Sequence, residues 1–136
     1  MLAALETQRF QGSPMPWWLS VCGYLLVAFG FGVSTWARRA NTFAAFSVRI
    51  QPERGQMVIA TGPYATIRHP IYAASLGLLF GTALALGSYW ALLPASVAAG
   101  LLILRTQWED QTLQAELAGY QEYTRRVPYK LIPHVW

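Results

Sequence analysis

Residues 17–36 form a run of twenty without a charged side chain, and this run constrains the fold more than any other feature. At about 1.5 Å per residue, a helix of this length spans roughly 30 Å, the thickness of the hydrocarbon core of a bilayer. Tryptophans at both ends suit the membrane–water interfaces. The basic pair Arg38–Arg39 follows the run instead of preceding it, which argues against a cleaved signal peptide. We therefore predict a transmembrane helix.

Two further apolar runs, residues 71–88 and 90–105, predict a second and a third transmembrane helix separated by the turn at Gly87–Ser88. The third run is short and is expected to continue as helix beyond Arg105. The composition agrees, since 54% of residues are hydrophobic and 12% charged. The predicted fold class is all-α integral membrane, with the 136 residues forming one domain.

The basic residues predict the orientation of these spans. Residues 37–70 contain five arginines and the segment after Leu104 contains four basic residues, whereas the turn between the second and third runs contains none. The positive-inside rule then places the N-terminus outside, and the connection 37–70 and the tail 106–136 in the cytoplasm. This topology accounts for the net charge of +4 better than nucleic-acid binding does.

The two cytoplasmic segments carry their own patterns. Residues 46–50 and 57–60 flank a turn-rich stretch and predict a short β-hairpin on the membrane surface. In the tail, apolar residues recur at helical spacing and end at Gly119, which predicts a helical tail with a stop.

Small residues and reactive side chains yield two smaller predictions. Gly77 and Gly81 form a G-x-x-x-G pattern that favours close helix packing in lipid, and this face would allow a homo-oligomer. The lone Cys22 excludes a disulfide framework, and His69 and His134 are too few and too distant to suggest a metal site.

Residues 62–72, GPYATIRHPIY, crowd turn formers, aromatics, a cation and a histidine at the entrance to the second span. Gly62 forms a turn and also allows a ligand to approach the backbone. Arg68 either anchors in the headgroups or pairs with a carboxylate. Tyr64 and Tyr72 are either interfacial belt residues or aromatic faces for a cation.

The end of this segment also offers polar contacts. Pro70 is expected at the first helical position, which places His69 near the cap. His69 is either a cap or a polar contact to a nucleoside. The free N–H groups of a helix that begins here would favour a carboxylate or hydroxyls.

Adjacent carboxylates, Glu109 and Asp110, lie just beyond the third run, so the topology places them on the same side and at the same depth as residues 62–72. They are either solvated or paired with arginines, or else one of them binds an ammonium or sulfonium group. Because neighbouring helical residues diverge by about 100°, only one is expected to face such a ligand.

Taken together, these segments resemble the isoprenylcysteine carboxyl methyltransferase and phospholipid methyltransferase group of integral membrane enzymes. The resemblance covers about residues 36–136 and rests on residues 46–55, the R-H-P-x-Y element within 62–72, the acidic pair with Leu113, residues 119–123, and residues 131–136.

The resemblance implies a cofactor, S-adenosylmethionine, bound between the last transmembrane hairpin and the tail. It implies that Glu109 faces the amino group of the cofactor, while Asp110 stands where many relatives have a second Glu. Arg68 and Glu109 are the expected polar anchors of the reaction. The expected cofactor-binding residues are Gly62, Tyr64, Arg68, His69, Pro70, Tyr72, Trp108, Glu109 and Asp110, with Tyr72 and Trp108 as walls. The implied methyl acceptor is lipophilic or a small molecule, reached from the membrane.

The chain departs from the family in two respects. A single predicted span precedes the shared region, so the chain is a minimal version, a fragment, or dependent on a second copy. The G-x-G element of phospholipid methyltransferases is missing from residues 62–72, which favours the isoprenylcysteine branch. Two alternatives stay open: a non-enzymatic three-span membrane protein, and a membrane reductase of the sterol type.

Overall fold

Four α-helices follow one another in the computed structural model, which describes residues 15–43 and 57–136. They are α1 (Trp17–Ala40), α2 (Pro70–Ala85), α3 (Leu92–Glu116) and α4 (Tyr120–Arg126), with a short 3₁₀ turn at Gly62–Ala65 before α2. Within these two described ranges the fold is all-α, as the sequence predicts. Residues 57–60 form no strand, and residues 46–50, the other half of the predicted hairpin, lie outside the described residues.

The helix bounds differ from the predicted runs at their polar ends. Helix α1 continues to Ala40, so Arg38 and Arg39 lie in its last turn, where cations interact favourably with the helix dipole. Helix α2 ends at Ala85, and the chain turns at Gly87, whose φ of 64° suits a glycine. Helix α3 continues past Arg105 to Glu116, as predicted.

Helix α1 is the one described helix that is long and apolar enough to cross a membrane. Only 11% of its most apolar segment is buried, whereas a core helix of a soluble protein would be mostly buried. Its exposed side chains include Trp17, Tyr24, Leu25 and Phe29. Helix α2 is also apolar, but its 16 residues span about 24 Å, which is less than the roughly 30 Å of a bilayer's hydrocarbon core. Water would solvate such an apolar exterior poorly, so it suits a lipid environment.

Glycines bring α1 and α2 into backbone contact. A Cβ at Gly23 would lie 2.4 Å from the backbone nitrogen of Ala85 and 2.7 Å from the carbonyl oxygen of Gly81. A Cβ at Gly30 would meet Ala74 and Leu78 at 3.0–3.1 Å. The face containing Gly81 therefore packs on α1 of the same chain, and an oligomer through it would have to displace α1.

Helix α4 packs back on the polar end of α3. Gly119, with φ of 80°, connects the two helices in a left-handed conformation. Tyr120, Tyr123 and Val127 form a small buried cluster, and the partly buried residues packed against it are Val58, Leu113 and Leu117. This arrangement places the C-terminal tail beside the turn that precedes α2.

Candidate functional site

The turn before α2 is shaped by the end of α1. Gly62 has a φ of 60°, and a Cβ there would lie 3.2 Å from the Trp36 indole nitrogen and 3.3 Å from the Cβ of Ala40. The backbone conformation favours glycine here, and the close approach of α1 leaves little room for a side chain. The turn positions Tyr64, which is buried and whose carbonyl oxygen accepts a 2.7 Å hydrogen bond from the Tyr123 hydroxyl.

Helix α2 begins at Pro70, where the missing N–H has no cost. His69 occupies the cap position, yet its side chain makes no capping hydrogen bond. The backbone N–H groups of Arg68 and His69 instead donate to the carbonyl oxygens of Tyr129 and Lys130, each at 2.9 Å. The C-terminal tail is therefore hydrogen-bonded to the start of α2.

The Asp110 carboxylate, 1% exposed, is the hub of a buried polar cluster. Its oxygens accept hydrogen bonds from Arg68 Nη2 at 3.2 Å, from Gln114 Nε2 at 2.8 Å and from the Tyr120 hydroxyl at 3.0 Å. His69 Nε2 lies 3.2 Å from Oδ1, and Lys130 Nζ lies 3.8 Å from Oδ2. One carboxylate thus connects the start of α2, α3, α4 and the tail.

Arg68 contacts Asp110 in two ways. Besides the Nη2 hydrogen bond, Nε lies 3.1 Å from Oδ1, within ion-pair range. The Nε–H does not point at that oxygen, and among the described residues it is the one buried side-chain nitrogen or oxygen without a hydrogen-bond partner. The interaction between Arg68 Nε and Asp110 is therefore an ion pair without a directed hydrogen bond.

Burial alone would raise the pKa of Asp110. The hydrogen bond with His69 and the positive charge of Arg68 outweigh burial, so the pKa is held below its ordinary value and the carboxylate stays ionised. Burial and the neighbouring Asp110 charge raise the pKa of Tyr120. The Tyr120 hydroxyl therefore keeps its proton and remains a donor.

The lowered pKa of Asp110 predicts that acid destabilises the fold. A group whose pKa is lowered in the folded state stabilises that state above its unfolded pKa of about 4, and the contribution is lost as the pH falls through the folded value. We expect the thermal unfolding midpoint to fall steeply below about pH 4 in the native protein and less steeply in Asp110→Asn. Thermal unfolding in detergent between pH 3 and pH 7 measures this. Parallel curves for the two proteins would contradict the prediction.

A second polar group lies on the neighbouring face of α3. The Tyr72 hydroxyl donates to Glu109 Oε2 at 2.5 Å and accepts from Arg105 Nε at 3.0 Å. The Arg105 guanidinium lies 5.7 Å from the centre of the Tyr72 ring, and His69 stacks against that ring at 5.9 Å. Among the described residues, Glu109 has no other hydrogen-bond partner than Tyr72. The carboxylate is half-buried and retains an oxygen that can accept from a cationic ligand.

Tyr64 extends this group toward the end of α1. Burial raises the pKa of Tyr64, with the negative charge of Glu109 adding to the effect, while a hydrogen bond with Asn41 opposes it. The hydroxyl is therefore neutral and lies within electrostatic range of Glu109. Asn41, the residue that follows α1, therefore also lies at this end of the molecule.

The predicted site residues therefore separate into different surroundings. Tyr72 and Glu109 contact each other, while Arg68, His69 and Asp110 form the buried cluster. Pro70 begins α2, and Gly62 packs on α1. Trp108 is 63% exposed, on another face of α3. Arg105 was not predicted, although it lies four residues before Glu109 on the same helix face, a spacing that could have indicated it.

An open apolar groove of about 760 Å³ runs between α2 and α3. Its lining includes Ser75, Leu79 and Thr82 from α2, and Pro94, Ala98 and Leu102 from α3. Ser75 lies three residues after Tyr72, and Leu102 three before Arg105, so each pair shares a helix face. The end of the groove at Ser75 and Leu102 is therefore the end nearer to Tyr72 and Arg105, which lie outside its lining.

This arrangement suits a ligand that carries a cationic group. A half-buried carboxylate with an available oxygen suits an ammonium group, and the neighbouring aromatic ring suits a sulfonium. Within residues 15–43 and 57–136, no group of three or more His, Cys, Asp or Glu side chains could hold a metal ion.

Comparison with known proteins relates the chain to a methyltransferase family and to a sterol reductase. The family model described as phospholipid methyltransferase matches residues 18–118. A Delta(14)-sterol reductase of Mus musculus is 34% identical over 86 residues, which make up 60% of this chain and 20% of the mouse protein. The matched region thus spans about a fifth of the length of that curated relative.

Proposed function

The chain belongs to the phospholipid methyltransferase family, and from this premise we propose that it transfers a methyl group from S-adenosylmethionine to a lipophilic or small-molecule acceptor. The proposed reaction takes place at the membrane–cytosol interface. The observation that carries the proposal is Glu109, a half-buried carboxylate that accepts a hydrogen bond from Tyr72, one helical turn beyond the Ser75 end of an apolar groove. A charged ligand and an apolar ligand would meet at this position.

In this proposal the residues of the chain bind and orient. Glu109 accepts from the ammonium group of the cofactor, and Tyr72 holds the carboxylate in place through its hydroxyl. Arg105 fixes the Tyr72 hydroxyl in turn. When bound, S-adenosylmethionine supplies an electrophilic methyl group on a sulfonium. Alignment of the two reactants and exclusion of water account for the rate enhancement.

The apolar groove supports a lipophilic acceptor. Its lining is almost entirely aliphatic, and the surrounding helices expose apolar side chains. The missing G-x-G element favours an acceptor of the isoprenylcysteine type, with its carboxylate as nucleophile. Such an acceptor needs no general base.

The proposed topology has three spans, with α1, α2 and the apolar part of α3 crossing the membrane. The N-terminus is outside, and the candidate site faces the cytoplasm. Support comes from the basic residues, which cluster at the end of the molecule where Arg38, Arg39, Arg68 and Arg105 lie, and are missing from the turn between α2 and α3.

The function is tested by binding and then by turnover. Purified protein in detergent is expected to bind S-adenosylhomocysteine saturably at one site in calorimetry, and to transfer labelled methyl groups into a total lipid or small-molecule extract. Protein shown to be folded that binds no S-adenosylhomocysteine would count decisively against the proposal.

The reductase is the second candidate, because of the 34% identity to a sterol reductase. A reductase of this type would bind a reduced nicotinamide cofactor in place of S-adenosylhomocysteine. Titration of the same protein with both compounds separates these two activities. A non-enzymatic membrane protein would bind neither, and Glu109→Ala would then leave its cellular phenotype intact.

A further inference from the structure

We infer that Asp110 is a positioning residue: it holds Arg68 and His69, and through them the start of α2 and the C-terminal tail, around the site where Glu109 meets the ligand. The two adjacent carboxylates thus have separate roles. The inference rests on the proposed function, because the site it refers to is the proposed cofactor site.

The two carboxylates point in different directions. Consecutive residues on a helix diverge by about 100°. The Asp110 side chain is 1% exposed and surrounded by donors from four segments, so no face of it is left for a ligand. Glu109 is half-buried and hydrogen-bonds Tyr72. Only Glu109 is placed to accept from a cofactor.

The side chains of Arg68 and His69 are likewise buried and not accessible to a ligand. Their side chains are 7% and 4% exposed, and both contact the Asp110 carboxylate. Their backbone N–H groups are hydrogen-bonded to the tail at Tyr129 and Lys130. These two residues therefore influence a ligand through the position of the chain, not through direct contact with their side chains.

The geometry connects this cluster to the ligand-facing group. His69 bonds Asp110 and stacks against the ring of Tyr72, whose hydroxyl holds Glu109. Removing the Asp110 charge leaves the buried Arg68 guanidinium without a counter-ion. A buried charge without its partner is strongly destabilising locally, so the turn and the tail are expected to separate from α3.

Two measurements in detergent or nanodiscs test the inference, namely S-adenosylhomocysteine affinity and the rate of tryptic cleavage in the tail, at Arg125, Arg126 or Lys130. Asp110→Asn is expected to bind roughly 10-fold more weakly and to be cleaved roughly 10-fold faster, since the lost hydrogen bonds involve charged groups. Glu109→Gln is expected to lose affinity while its tail is cleaved at the native rate.

A double-mutant cycle shows whether Asp110 acts through Arg68. The double variant Arg68→Met/Asp110→Asn is expected to bind about as well as Asp110→Asn alone. The reason is that the two substitutions remove the same contact, the one between Arg68 and Asp110. Glu109→Gln/Asp110→Asn is expected to lose less affinity than the product of the two single effects, because Asp110 acts partly through the contact between Tyr72 and Glu109. Additive losses for Arg68 and Asp110 would overturn the inference.

Milder variants keep the test decisive if Asp110→Asn fails to fold. Tyr120→Phe removes one hydroxyl donor from Asp110 and is expected to raise tail cleavage a few-fold. Tyr129→Phe is the matched control, since it removes a tail hydroxyl whose partner is His134. Equal cleavage of the two variants would overturn the inference.

The outcomes separate this inference from the proposed function. Native affinity in a folded Asp110→Asn, or a protected tail together with lost affinity, would overturn the positioning role. If the native protein binds no S-adenosylhomocysteine, the proposed function fails. The cleavage rates of Asp110→Asn and Tyr120→Phe still decide whether Asp110 holds the tail.

Discussion

Glu109→Gln is expected to weaken S-adenosylhomocysteine binding by about 10- to 100-fold, because a charge-assisted hydrogen bond contributes roughly 1.5–3 kcal/mol. The substitution conserves size, and the amide oxygen can still accept from the Tyr72 hydroxyl, so the local structure should persist. Isothermal titration calorimetry of the detergent-solubilised protein measures the affinity, and labelled methyl transfer should fall in parallel.

The control for this prediction lies on the same helix. Glu116→Gln removes an exposed carboxylate at the end of α3, and its affinity should equal that of the native protein. If Glu109→Gln and Glu116→Gln bind equally well, the carboxylate at position 109 does not hold the ammonium group. The proposed site would then have to be placed elsewhere.

Gly23→Ala is expected to destabilise the helix pair by more than about 3 kcal/mol, beyond the usual cost of overpacking a core. A methyl group at this position would lie 2.4 Å from the Ala85 nitrogen and 2.9 Å from the carbonyl carbon of Leu84. Both contacts are with backbone, so α1 and α2 must separate. Thermal unfolding in detergent, followed by far-ultraviolet circular dichroism, measures the loss.

Gly32→Ala is the matched control for this substitution. It lies in the same helix, and a Cβ there would have no neighbour within 4 Å. Alanine should be neutral or stabilise α1 by up to about 1 kcal/mol, because of its higher helix propensity. A Gly23→Ala protein as stable as Gly32→Ala would show that the close contact of α1 and α2 is not maintained in the membrane.

The sequence was most informative where composition alone determines local structure. The uncharged run 17–36 predicted α1, and Pro70 predicted the start of α2, because proline suits the first helical position. The continuation of α3 beyond Arg105 also followed from the shortness of the third run. The hairpin was less predictable, since two strands alone are marginal unless they pack on something.

The sequence also placed the two halves of the candidate site together. Basic residues predicted that residues 62–72 and the acidic pair lie on one side at one depth. The contacts Tyr72–Glu109 and Arg68–Asp110 now connect these segments over 37 and 42 residues. Arg105 and Asn41 were missed, because an arginine or an asparagine at a membrane interface is ordinary in itself.

What the sequence determined by itself is the three apolar helices α1, α2 and α3, and the side of the molecule at which the polar residues of 62–72 and 109–110 gather. These properties depend on runs of residues, so local composition is sufficient to predict them. Only the tertiary structure decided that Asp110 turns inward to Arg68 and His69 while Glu109 faces Tyr72, and that Gly81 packs on Gly23. The reason is physical: the direction of a side chain depends on the rotation of each helix about its axis, and that rotation is set by packing against the other segments.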